Sequence, residues 1–129
     1  MDPNVLVVDD SAAIRKILQR VLRQTGMVIN TIHEAGNGEE ALAVLKGHPV
    51  ALILSDINMP KMDGFQLLAA LKSSAEWRRI PVVMITTEGS EAKVSEAVRL
   101  GAAGYLRKPF TADQIREKLT GLIEPALPL

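Results

Sequence analysis

The sequence predicts an α/β fold: a doubly wound, five-stranded parallel sheet with five helices, in three α/β/α layers. Three observations carry this. Short runs with no polar residue, Val5–Val8 and Ala51–Leu54 among them, have strand length and lack the alternation of a strand wet on one face, so each is buried on both sides. Each strand is followed by a stretch of helical spacing, and strand then helix, five times over, requires parallel strands joined by right-handed crossovers. The central run ends at Ser55-Asp56 and gives way to turn chemistry in Asn58, Pro60, Lys61, Asp63 and Gly64. Asp56 therefore stands at the C-terminal edge of the sheet, where open parallel sheets bind ligands.

Taken in order, Val5–Val8 halts at Asp9-Asp10-Ser11, and Ile14, Ile17, Leu18, Val21 and Leu22 then recur at helical spacing. Asp10 or Ser11 is the expected N-cap and Gly26 the C-terminal stop. A weaker strand is expected within Ile29 to His33, its polar interruptions marking an edge. The second helix is expected from Glu39-Glu40, with an apolar face of Ala41, Leu42, Val44 and Leu45, ended by Gly47 and Pro49. After the central strand, Phe65, Leu67, Leu68 and Leu71 mark a third helix, and Ser73 to Arg79 reads as a surface connection. Pro81 to Thr86 is the fourth strand. Gly89 and Ser90 introduce a helix through Val94, Ala97, Val98 and Leu100, stopped by Gly101, and Ala103 to Arg107 is the fifth strand, broken by Lys108-Pro109. Thr111 and Gln114 have capping-box spacing before a last helix carrying Ile115, Leu119, Leu122 and Ile123, and Pro125 and Pro128 follow it.

The 129 residues, 1–129, fit a single domain without internal repeat or low-complexity segment. There is no Cys, hence no disulfide frame and no thiolate chemistry. Lys+Arg and Asp+Glu are both 15, so no global field recruits nucleic acid or an anionic membrane. The start, Met1-Asp2-Pro3-Asn4, is acidic, and no apolar run approaches the roughly 20 residues of a membrane span. The expectation is a soluble cytoplasmic protein with no direct DNA or membrane binding.

Strand ends bring the chemistry together. Asp9 and Asp10 close the first strand, Asp56 the third, Thr86 the fourth and Lys108 the fifth. If the first and third strands are neighbours, three carboxylates converge, and three buried like charges need a cation. Oxygen ligands favour Mg²⁺, a typical site for handling a phosphoryl group. Zinc is not suggested, since Cys is absent and His33 and His48 are isolated in the sequence. Asp56 is then the nucleophile, forming an aspartyl phosphate, with Lys108 and the Thr86 hydroxyl on the other phosphoryl oxygens.

The segments VLVVDDS, LILSDINMPKMDG, VVMITTE and GYLRKPF, in this order and on these elements, make the chain resemble the response-regulator receiver domains of two-component signalling, from Val5 to about Ile123. The nearest type is the single-domain, CheY-like chemotaxis regulator. That resemblance implies the flavodoxin-like strand order 2-1-3-4-5. It also implies Asp56 as phosphoacceptor, Asp10 as a direct Mg²⁺ ligand, Asp9 acting through water and the Asn58 carbonyl as a third protein ligand. It further implies Lys108 on the phosphoryl oxygens with a cis bond to Pro109, and Thr86 with Tyr105 as a coupled switch. On phosphorylation that switch remodels the face made by the fourth helix, fifth strand and fifth helix. Asn58 and Glu88 stand where the family sets the phosphoform's lifetime, expected here to be short. The implied partners are a histidine kinase or His phosphotransfer domain, contacted by the first helix around Ile14 and Arg15, and a downstream target protein. Four features depart from the chemotaxis type: Ile57 in place of Trp, the only Trp at Trp77 in a connection, a longer entry to the second strand through Met27 to Thr31, and Glu91 where motor-binding relatives carry Lys. The last argues against flagellar-switch binding.

Singly, these residues have plainer readings. Asp9-Asp10 can be an N-cap and its neighbour, Asp63-Gly64 a turn and helix entry, Thr86 a strand end, Tyr105 a packing aromatic, Met59 and Met62 loop packing, and His33 and His48 surface or strand residues. Those readings leave unexplained the coincidence at one sheet edge. Of the function classes, a signalling switch that catalyses only its own phosphorylation and dephosphorylation leads; because the sequence stops just after the fifth helix, it is expected to act by protein contact. The alternative is a phosphorelay intermediate passing its phosphoryl group to a His-containing phosphotransferase. An aspartyl-nucleophile phosphatase is disfavoured because Asn58 replaces the second carboxylate such enzymes use. Flavin binding is disfavoured because acidic turns repel a phosphate.

Overall fold

A computed structural model describes residues 3–87 and 91–122. Five strands, β1 (Val5–Val8), β2 (Ile32–Ala35), β3 (Leu52–Asp56), β4 (Val82–Thr86) and β5 (Gly104–Arg107), alternate with α1 (Ala12–Gln24), α2 (Gly38–Gly47), α3 (Gly64–Lys72), α4 (Glu91–Arg99) and α5 (Ala112–Leu119). All pairings are parallel and the order is β2-β1-β3-β4-β5, as expected.

Apolar runs without alternation fill both faces of the sheet. Val5, Val7, Leu54 and Ile85 pack with Leu18, Leu22, Ile115 and Leu119 of α1 and α5. Leu6, Val8, Ile53 and Met84 pack with Leu45, Leu67, Leu68 and Ala97 of α2, α3 and α4. Burying such a side chain is worth about 1.5–3 kcal/mol, so the two layers are the fold's main stabiliser.

Local chemistry sets the ends. Ser11 is the N-cap of α1, its hydroxyl accepting from the Ile14 N–H at 3.3 Å. Asn37 caps α2 through the Glu40 N–H at 2.9 Å, so that helix begins at Gly38, one residue before the expected Glu39. The expected box Thr111/Gln114 is present, and a second, Asp63/Gln66, starts α3. Gly26, at φ +77°, follows α1.

Two expectations are corrected. The second strand is Ile32–Ala35 rather than lying within Ile29 to His33, because register is set by pairing with Val5–Val8. Met27 and Ile29 spend their apolar side chains on the α1/α5 core instead, from an irregular lead-in. The segment Ser73 to Arg79 is not merely surface, since Trp77 packs half-buried against the other core layer. The expectations at Gly89, Ser90, Ile123, Pro125 and Pro128 lie outside the described residues. Among the described residues no helix is long and apolar enough to cross a membrane.

Candidate functional site

β1 runs directly into Asp9-Asp10, β3 ends on Asp56, β4 on Thr86, and β5 is followed by Lys108. Because β1 and β3 are hydrogen-bonded neighbours, with Val8 opposite Ser55, carboxylate oxygens of Asp9, Asp10 and Asp56 come within 4.8 Å of one another.

Asp9 is buried, and each of its carboxylate oxygens has a donor. One carboxylate oxygen accepts from the Ser11 N–H at 2.9 Å, the other from Lys108 Nζ at 3.0 Å. Its carbonyl accepts from Arg15 Nη1 at 2.7 Å, and Arg15 Nε donates to Glu34 Oε1 at 3.0 Å. The turn carrying Asp10 is thereby pinned from α1, β2 and the β5 end. Asp56 Oδ1 accepts from the Ile57 N–H at 2.8 Å and lies 3.9 Å from Lys108 Nζ. Burial pushes the Asp56 carboxyl above the ordinary range; the Lys108 cation and the Ile57 N–H pull it down, and the charges of Asp9 and Asp10 add to the rise.

The carboxylates are not equally buried, which corrects one expectation. Asp9 is buried, Asp56 half-buried and Asp10 exposed, because the chain leaves the sheet between Asp9 and Asp10. Lys108 supplies part of the counter-charge, on the Asp9 side. The remaining donors on Asp10 and Asp56 are hard oxygens at the ends of two neighbouring strands, a set that fits Mg²⁺.

Thr86 is buried, and its carbonyl accepts from the Lys108 N–H at 2.7 Å, joining the β4 and β5 ends. The Lys108–Pro109 bond is cis, as the resemblance implies. Tyr105 is half-buried opposite Met84, on the sheet face that Thr86 shares by alternation. Asn58 is exposed, its side-chain oxygen accepting from Lys93 Nζ at 3.5 Å. Glu88 lies outside the described residues.

Sequence reasoning missed the grip of Arg15 on the Asp9 carbonyl, which is local but leaves no mark in the apolar pattern, and the reach of Lys93 from α4 to Asn58, which joins distant segments. Gly64 is tighter than its reading as a helix entry allows, a side chain there running into the backbone oxygen of Asp56. His33 and His48 are not isolated either: their rings lie 4.5 Å apart, a correction that periodicity could not supply.

Residues 5–120 match the family model of the response regulator receiver domain. The chain is 38% identical over 120 residues to the chemotaxis protein CheY-3 of Vibrio cholerae, covering 93% of this chain and 91% of that protein. The solved structure of V. cholerae chemotaxis protein CheY4 superposes with a TM-score of 0.85 at 34% identity, covering 95% of this chain and all of that one. A Mn²⁺-bound form of the response regulator Rcp1 superposes at 0.75 with 30% identity, covering 93% and 91%. The acidic trio and lysine at the sheet edge, the strand order and these matches agree: the chain belongs to the response regulator receiver family, as a CheY-like signalling switch of two-component systems, whose members interact with histidine kinases and downstream targets.

Proposed function

We propose that this chain works as one receiver unit, a stand-alone response regulator whose Asp56 takes a phosphoryl group from a phosphohistidine of a histidine kinase or His phosphotransfer domain. The observation that carries this reading is the convergence of Asp9, Asp10 and Asp56 within 4.8 Å, with Lys108 Nζ 3.0 Å from Asp9 and 3.9 Å from Asp56. An Asp56 carboxylate oxygen attacks phosphorus; the O–P bond forms as the N–P bond breaks, and the departing imidazole nitrogen keeps the bonding pair. Lys108 turns from Asp9 toward the incoming phosphoryl oxygens and offsets their charge. Asp10, Asp56 and the Asn58 carbonyl would hold Mg²⁺ directly and Asp9 through water, and the ion would neutralise charge on the transferring group.

The Thr86 hydroxyl then binds a phosphoryl oxygen and Tyr105 follows inward, biasing the α4–β5–α5 face toward its target-binding state. The apolar Val98, 66% exposed on α4, suits such a face. Asn58 and Glu88 tune the lifetime of the phosphoform. The chemotaxis names of CheY-3 and CheY4 favour a chemotaxis-type target.

Intact mass after incubation with acetyl phosphate, with and without Mg²⁺, tests the reading. One added phosphoryl group is expected, requiring both Mg²⁺ and Asp56 and lost in Asp56→Asn. If no adduct forms and beryllofluoride also fails to bind, the phosphoacceptor reading is overturned.

A further inference from the structure

The chain has two histidines, on elements separated by all of α2, and the fold brings their rings together. His33 sits in the middle of β2, opposite Leu6 of β1, and so on the sheet face that α2 covers. His48 is the C-cap of α2, with an extended backbone. Their ring centroids are 4.5 Å apart and the planes are tilted by 33°.

We propose that His33 and His48 form a second metal site, apart from the acidic edge, which binds a borderline divalent transition-metal ion such as Zn²⁺ through two imidazole nitrogens. Two imidazoles bound to one ion have ring centres about 4.5 Å apart at a right angle at the metal and about 5.1 Å apart at the tetrahedral angle, given metal–nitrogen bonds of about 2.0–2.1 Å. The observed 4.5 Å lies at the close end of that range, so a small opening of the pair with ring rotation brings one nitrogen of each ring to a shared ion. Imidazole also selects the class of ion: Zn²⁺, Cu²⁺ and Ni²⁺ bind it well, whereas Mg²⁺ prefers the oxygens of Asp10 and Asp56. His33 is held by the sheet and half-buried, while His48 is exposed, so a bound ion has room for water in its remaining positions and ties the end of α2 to the edge strand.

The test is Zn²⁺ titration of the full chain at neutral pH in saturating Mg²⁺, which covers the acidic edge, followed by calorimetry and by the imidazole C–H resonances. The expected result is one Zn²⁺ per chain shifting both histidine signals together, with affinity falling about tenfold or more in each of His33→Asn and His48→Asn, since either removes one of two ligands. Affinity should be unchanged in Asp56→Asn, which separates this site from the phosphoacceptor. The exposed His48→Asn keeps the test valid if His33→Asn disturbs the strand. Binding that survives both histidine substitutions, binding that Asp56→Asn weakens, a shift of only one imidazole, or no binding would each overturn the proposal.

Discussion

Gly64→Ala places a single methyl group against the peptide that carries Asp56, the proposed phosphoacceptor. Gly64 opens α3, is buried, and donates its N–H to the Ile57 carbonyl at 2.8 Å. A Cβ there runs into the Asp56 carbonyl oxygen, the Met84 methyl at 2.7 Å and Ile57 Cα at 2.9 Å. Two of these three obstacles are backbone, so the strand end must move. Overpacking of this kind costs about 1–3 kcal/mol. The better helix propensity of Ala returns at most about 1 kcal/mol, and less at a first helical residue. Overpacking wins, and the net loss is about 1–2 kcal/mol. In a chain of this size that lowers Tm by roughly 3–10 °C. Because the displaced peptide belongs to Asp56, the rate of phosphorylation by acetyl phosphate should fall as well. Gly47→Ala is the control: Gly47 lies at the end of α2, a Cβ added to it would meet no other atom within 4 Å, and the substitution is expected to be neutral or stabilising by up to about 1 kcal/mol. A Gly64→Ala protein that melts within a degree of the parent and is phosphorylated at the parent rate would refute the reasoning.

Two further outcomes are expected. Thr111→Ala removes the hydroxyl that accepts from the Gln114 N–H at 3.2 Å and breaks the reciprocal box at the start of α5, for a loss of about 1 kcal/mol, read as a lower urea midpoint at unchanged slope; an unchanged midpoint would contradict it. The hydrogen bond from Arg15 holds the Glu34 carboxyl below its ordinary value, so its contribution is present above the unfolded carboxylate's pKa and is lost as pH falls through the lowered folded one. The pair is partly exposed, and Glu34→Gln should cost under about 1 kcal/mol at neutral pH, with the two proteins converging in acid. Urea unfolding at both pH values measures this, and an equal gap at each would show that the charge is not responsible.

Sequence by itself determined the layers and the cast of the site. Runs such as Val5–Val8 and Leu52–Leu54 are buried on both faces whatever their neighbours, because no polar residue offers a wet side, and parallel order follows from the intervening helices. Asp9, Asp10, Asp56 and Thr86 are legible because each stands where an apolar run stops, and Lys108 because it closes the fifth strand just before Pro109; the end of a strand needs only local information. The second strand is misplaced by sequence reasoning for the converse reason: Ile29 and Ile32 are equally apolar, and only pairing with β1 decides which enters the sheet. Tertiary structure alone decided how the charges are shared. Asp9 is buried while its neighbour Asp10 is exposed, and Lys108 bonds the first at 3.0 Å, because the chain leaves the sheet between them. The Arg15–Glu34 pair, the reach of Lys93 to Asn58 and the His33–His48 contact join residues that sequence order holds apart. Their distances come from register and helix docking, which depend on the whole packed core rather than on any local pattern.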